Sequence, residues 1–140
     1  MKNHIKVSPK NCVGCELCAI SCSIYHEDQT REGAMRIRIK RQFPQRMDRP
    51  FQPEVCQSCD KPKCVEACPQ SALVMDVEVG QVNLFKEKCD GCGECVEVCP
   101  FHAIWVDPLR NVAVKCDLCL GDPQCVKFCQ FKAIESPFTT

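Results

Sequence analysis

The sequence predicts an α+β chain of short helical turns and β-hairpins, arranged as two similar modules in one compact unit over residues 1–140. Three observations predict it. Cysteine makes up 16 of the 140 residues, in four spaced groups with none left over. The apolar core is thin: the 45% apolar fraction includes those cysteines, and the aromatic residues are seven Phe, Trp105 and Tyr25. A chain so short of ordinary core residues needs a staple. Finally, two strand–turn–strand patterns each follow one of the cysteine groups.

The first group is Cys12, Cys15, Cys18 and Cys22, spaced C-x2-C-x2-C-x3-C, with a helical turn expected from Cys15 to Ser21. Residues 31–50 form a basic connecting segment. In it Arg31, Arg36, Arg38, Lys40, Arg41, Arg46 and Arg49 are opposed only by Glu32 and Asp48. Met35, Ile37 and Ile39 alternate with Arg36, Arg38 and Lys40, the period of a strand with one apolar and one basic face. Three readings fit. The segment is a solvated edge strand kept soluble by charge, or a basic surface that docks an acidic partner or offsets negative charge in the chain, or a nucleic-acid contact. The last lacks interleaved aromatics.

The second group, Cys56, Cys59, Cys64 and Cys68, is spaced C-x2-C-x4-C-x3-C and followed by Pro69, with a turn from Lys63 to Ala67. Leu73–Val77 and Gln81–Leu84 flank Gly80 as a hairpin. The third group, Cys89, Cys92, Cys95 and Cys99, repeats the first spacing before Pro100, with a turn from Gly93 to Val98. Ile104–Val106 and Val112–Val114 form the second hairpin. The fourth group, Cys116, Cys119, Cys125 and Cys129, is spaced C-x2-C-x5-C-x3-C, with a turn from Gln124 to Phe128. Pro69 and Pro100 fix φ and end their helical turns.

Three chemistries compete for these cysteines. Disulfides require an oxidising compartment, and no apolar export signal opens the chain. Zinc takes one tetrahedral point, usually from two separated C-x2-C pairs. A cubane of four irons takes one thiolate at each iron, which suits three cysteines in a tight loop and a fourth led away on a helical turn. The bacterial C-x2-C-x2-C-x3-C-P run has that shape, its fourth cysteine serving the other cluster. The spacing therefore predicts four [4Fe–4S] clusters, and two modules of bacterial ferredoxin type. Each cluster with its thiolates carries about −2, so the formal net charge of zero describes only the cluster-free chain. Ligand bonds replace the missing core, and the cluster-free chain is expected to be largely unfolded.

Only the second and third groups carry the terminal proline, and both lead into hairpins. They read as a central module over 51–110, with 1–30 and 111–140 forming a second module from the chain ends. Crossed ligation then predicts Cys12, Cys15, Cys18 and Cys129 on one cluster, and Cys22, Cys116, Cys119 and Cys125 on another. It puts Cys56, Cys59, Cys64 and Cys99 on a third, and Cys68, Cys89, Cys92 and Cys95 on a fourth. A tandem pairing, groups one with two and three with four, would split the matched middle pair.

No iron needs a histidine. His102, just past Cys99, and His26 with Tyr25, just past Cys22, are structural or tune a cluster through a hydrogen bond. Lys115 and Asp117 flank Cys116, where a lysine offsets cluster charge. Trp105 belongs to the hairpin core or to an interface. The sequence holds no Gly-rich phosphate loop, no G-x-S-x-G and no H-E-x-x-H, and nothing suggests a pterin, flavin or nicotinamide site. The chain is expected to move electrons without catalysing a reaction alone. No apolar run reaches the ~18 residues of a membrane span. A cytoplasmic protein with no membrane insertion and no nucleic-acid partner is expected.

Over its whole length the chain resembles the four-cluster, ferredoxin-type electron-transfer subunits of oxidoreductase complexes. The segments Cys15–Cys22 with His26, Arg36–Ile39, Cys99–Pro100–Phe101, Lys115–Cys119 and Gly121–Cys129 are similar to the small subunits of tungsten-dependent aldehyde oxidoreductases and related benzoyl-CoA reductases. Similar cysteine runs occur in iron–sulfur subunits of the dimethyl sulfoxide reductase family, carbon monoxide dehydrogenase and formate hydrogenlyase. The Gly121–Asp122–Pro123 run favours the aldehyde-oxidoreductase group. The resemblance implies the same pairing of groups one with four and two with three. It also implies a large catalytic partner carrying a tungsten– or molybdenum–pterin, with electrons passing to ferredoxin or to a flavin or NAD subunit. Two departures stand out: His102 where relatives often have glycine, and Gln130 where they often have proline. A free polyferredoxin carrier and a cluster-bearing regulator are the other classes to separate from this one.

Overall fold

The computed structural model describes residues 3–42 and 44–137, with Glu32 described by its backbone alone. The Glu32 carboxylate counted above lies outside what is described, as do residues 1–2, 43 and 138–140 of the segments 1–30, 31–50 and 111–140. Among the described residues the β-structure is four separate two-stranded antiparallel ladders.

The chain ends meet. Strand β1 (Lys6–Val7) pairs with β8 (Ile134–Glu135), placing Val7 opposite Ile134. Helix α1 (Leu17–Glu27) packs on α4 (Gln124–Phe128). Ile5, Ile37, Val55, Leu118 and Ile134 fill the space between them, together with Cys18, Cys22 and Cys125. Burying each such aliphatic side chain is worth about 1.5–3 kcal/mol. Helix α1 is longer than the turn expected over 15–21. Left-handed Glu16 (φ 62°) opens it, eleven residues follow without glycine or proline, and left-handed Asp28 closes it with its N–H on the Ile24 carbonyl (2.8 Å).

The middle of the chain has its own core. Helices α2 (Lys63–Ala67) and α3 (Glu94–Val98) pack together. Leu73, Val82, Cys95, Ile104 and Ala113 fill the space beneath the two hairpins. The hairpins are β4 (Leu73–Asp76) with β5 (Gln81–Leu84), and β6 (Trp105–Asp107) with β7 (Val112–Val114). An aspartate organises each turn. Asp76 Oδ1 accepts the N–H groups of Glu78 and Val79, and Asp107 Oδ1 accepts that of Leu109. These Asx-type bonds compete with the ladder. They end β4 at 76, one residue before the expected limit, and the second hairpin starts at 105 rather than 104.

Strand β2 (Arg38–Arg41) pairs with β3 (Phe51–Glu54), and Val55 joins the core of the chain ends. The β6–β7 hairpin straddles position 110.

The basic segment is a seam more than a solvated edge. Arg31 forms a double ion pair with Asp107 (2.7 Å to each carboxylate oxygen) and reaches Glu27 at 2.6 Å. Asp107 is 2% exposed, and the Arg31 guanidinium holds its carboxyl down at about 2. Arg36 donates to the Lys115 carbonyl and pairs with Asp117 (3.2 Å). Arg38 lies 3.8 Å over the ring of Trp105, a buried side chain of the β6–β7 hairpin. These contacts tie residues 31–38 to the β6–β7 hairpin and to the Lys115–Asp117 stretch that follows it.

Candidate metal centres

The four C-x-x-C loops share a backbone. The second intervening residue is left-handed in each: Gly14 (φ 74°), Ser58 (46°), Gly91 (76°) and Leu118 (59°). Glycine accepts this conformation freely, and at Gly91 it also admits a close approach: a Cβ there would collide with the Asn111 carbonyl oxygen. Ser58 and Leu118 adopt the conformation at a cost of about 1–3 kcal/mol each. In the fourth group the left-handed run continues through Cys119 and Leu120 to Gly121 (φ 102°), steadied by a hydrogen bond from the Cys119 N–H to Asp117 Oδ1 (2.9 Å). The sequence hints at this shared turn through Gly14 and Gly91; Ser58 and Leu118 reveal it only by their place in the repeat.

The last cysteine of three groups also repeats a geometry. Cys68, Cys99 and Cys129 each follow a helical turn in extended conformation. Three residues on, Ser71, His102 and Lys132 are all left-handed, with φ of 53°, 54° and 55°. That is the physical reason glycine suits the position His102 occupies. Gln130 in place of proline leaves Cys129 (φ −85°, ψ 106°) close to the geometry of Cys68 (φ −76°, ψ 112°).

The sixteen cysteines meet four by four around small apolar cavities. Cys12, Cys15, Cys18 and Cys129 line one. Cys22, Cys116, Cys119 and Cys125 line a second. Cys56, Cys59, Cys64 and Cys99 line a third. Cys68, Cys89, Cys92 and Cys95 line the last. Amide donors point at sulfur: Arg36 N–H to Cys22, Ala72 to Cys68, Ala103 to Cys99, Ala113 to Cys89 and Leu118 to Cys116, all 3.2–3.4 Å. Four thiols around a void, with N–H groups supporting anionic sulfur, fit an iron–sulfur cubane. Burial pushes the thiols of Cys18 and Cys116 up to about 12 and those of Cys22, Cys64 and Cys95 to about 11. Without metal these thiols keep their protons at neutral pH, so loading iron releases protons.

The cavities follow one another. Cys18 and Cys125, which line the first and second, lie close enough for their charges to interact. Cys116 and Cys56 link the second to the third, and Cys64 and Cys95 the third to the last. At the second cavity, His26 Nε2 is 3.9 Å from Cys119 Sγ and 3.6 Å from Asp117 Oδ1. Burial, and then the nearby Arg36 charge, lower the pKa of His26. Exposed Tyr25 meets the His26 ring edge-on. Lys115 is 4% exposed and lines the third cavity. No helix among the described residues is long and apolar enough to cross a membrane.

Repeated left-handed cysteine loops opening onto four-thiol cavities define an iron–sulfur protein of ferredoxin type. The chain matches the 4Fe-4S dicluster domain over residues 47–136 and the 4Fe-4S binding domain over 9–29, and it belongs to the 4Fe-4S dicluster family. It is 39% identical to the polyferredoxin-like subunit of aliphatic sulfonate oxidoreductase from Pyrococcus furiosus, across 89% of this chain and 70% of that one. It is 32% identical to the thiosulfate reductase electron transfer subunit PhsB of Salmonella typhi, across 90% and 70%. A tetrathionate reductase subunit of Salmonella typhimurium is 34% identical across 86% of this chain, which spans about half (51%) of that protein. A chain of the active-site complex BamBC of benzoyl-coenzyme A reductase superposes with a TM-score of 0.53 at 26% identity, over 95% of this chain and 75% of its own. Of these, PhsB is named as an electron transfer subunit and the Pyrococcus furiosus protein as a polyferredoxin-like subunit.

Proposed function

We propose that the chain is the electron-transfer subunit of an oxidoreductase complex, holding four [4Fe–4S] clusters in a row. The observation that carries this reading is the gathering of sixteen thiols into four successive cavities. We assign Cys12, Cys15, Cys18 and Cys129 to the first cluster, and Cys22, Cys116, Cys119 and Cys125 to the second. Cys56, Cys59, Cys64 and Cys99 hold the third, and Cys68, Cys89, Cys92 and Cys95 the fourth. When bound, each cubane accepts and returns one electron. The chain's own residues hold the clusters in sequence, leave no cysteine of the inner pair fully exposed and aim amides at sulfur. Cys15 and Cys92 are exposed, so electrons enter and leave at the first and last cavities. Oxygen has the same access, and a reducing, oxygen-poor cytoplasm suits such a protein.

The partner in this reading is a large catalytic subunit with a tungsten–pterin centre of aldehyde-oxidoreductase type, and the external acceptor is ferredoxin or a flavin subunit. The Gly121–Cys129 segment and the likeness to a BamBC chain support it. The relatives from thiosulfate and tetrathionate reductases favour a second reading, a molybdopterin partner. Anaerobic isolation of the chain in its native complex, with metal analysis, separates them. Tungsten with a large partner is expected. Molybdenum moves the subunit to the second reading, and an iron-only protein with no partner leaves a free carrier.

A further inference from the structure

Lys115 joins strand β7 to the first cysteine of the fourth group. Its Nζ donates to the Val82 carbonyl on β5 (2.6 Å) and to the Cys116 carbonyl (2.7 Å). It is 4% exposed. Among the described residues no carboxylate lies within ion-pair range of this ammonium; the salt bridges nearby belong to Arg36, Asp117 and His26. A desolvated cation normally requires an opposite charge, and two carbonyl dipoles supply only part of one. Two arginines of the same seam have carboxylates: Arg31 has Asp107 and Glu27, and Arg36 has Asp117.

The position of Lys115 supplies the missing charge. Its side chain lines the cavity of Cys56, Cys59, Cys64 and Cys99. Its neighbour Cys116 lines the cavity of Cys22, Cys119 and Cys125. The same seam brings Cys116 up to Cys56, the link between the two modules.

We propose that Lys115 is a buried counter-charge shared by the two inner clusters, holding both at a higher reduction potential than the cavities alone would give. The inference rests on the four-cluster reading above. Adding one electron takes each cluster with its thiolates from about −2 to about −3. A fixed positive charge between two such anions favours the reduced form of each. No proton moves in this step. Lys115 is thus a positioning residue for charge, acting on the junction through which every electron crossing between the modules passes.

The test is an anaerobic redox titration of the full chain, followed by electron paramagnetic resonance, in wild type and in Lys115→Met, Lys115→Gln and Lys115→Arg. In Lys115→Met, the reduced-to-oxidised ratio of the two inner clusters at fixed poise is expected to fall tenfold or more, about 59 mV for a one-electron couple. The outer pair should stay within twofold, and Lys115→Arg should restore the wild-type values. Unchanged inner potentials in Lys115→Met overturn the proposal, as does an equal shift of all four clusters. If Lys115→Met loses iron, Lys115→Gln keeps a donor without the charge. The same inner shift there supports the proposal and wild-type potentials overturn it. Fewer than four cluster signals in the wild type would instead overturn the reading beneath it.

Discussion

The first and last cavities each present one exposed cysteine, Cys15 and Cys92, whereas the second buries Cys22, Cys119 and Cys125 and the third is walled by the buried Lys115. Half-exposed Val13, Leu17 and Phe131 surround the first cavity. Gly91, Gly93 and Asp90 surround the last. Cationic side chains flank the inner cavities, with Arg36, beside Asp117 and His26, at the second and Lys63 and Lys115 at the third, whereas each outer cavity is lined by one acidic side chain, Glu16 at the first and Asp90 at the last. The same loop and the same four-thiol arrangement are thus set in two environments. Surroundings with an exposed cysteine suit exchange with a partner, and those with cationic side chains and no exposed cysteine suit the setting of potential.

Four experiments break or sharpen that contrast, from the largest effect downward. Chelating iron from the intact protein under anaerobic reducing conditions should abolish most far-ultraviolet circular dichroism, because the cysteines are a large part of both cores. A folded, cooperative apo-protein would show that aliphatic packing suffices. Next come two ligand substitutions. Cys125→Ser, at a buried inner site, should lose its cluster and lower the melting temperature markedly. Cys15→Ser, at an exposed outer site, should lose or alter only the first cluster. Equal damage from both would erase the distinction between inner and outer cavities.

The third experiment concerns the seam. Asp107→Asn removes the main partner of Arg31, which retains Glu27, and should destabilise the protein by about 3 kcal/mol in chemical denaturation at pH 7. The pH dependence has a fixed sign. The Asp107 carboxyl falls from its ordinary 3.8 to about 2 on folding, so its stabilisation is complete above 3.8 and is lost as pH falls through about 2. The smallest change is His102→Gly, which removes a left-handed side chain at φ 54° and should stabilise the protein by no more than about 1 kcal/mol. A large loss of stability would show that the imidazole makes a contact of its own.

Much of this was legible in the sequence, for identifiable reasons. The turns Lys63–Ala67 and Gln124–Phe128 match helices α2 and α4 residue for residue, because fixed cysteine spacing leaves room for one turn only. The hairpins around Gly80 and 107–111 carry their own turn chemistry. The role of the basic segment was not legible. Arg31, Arg36 and Arg38 have partners at Asp107, Asp117 and Trp105, about 70 to 80 residues away, and periodicity carries no information about such distant pairs. The length of α1 was hidden too, since its last turns lie beyond the cysteines that signalled its start. Lys115 showed only as a charge beside Cys116, and its burial between two cavities required the fold.

The central claim is a chain loaded with four cubanes in succession. Quantifying iron and acid-labile sulfide per chain in the anaerobically purified native protein, alongside its reduced-state spectra, tests it most directly. About sixteen of each, in four distinguishable clusters, is the expected result. About eight irons in two clusters, with half the cysteines reactive to thiol reagents, would contradict it.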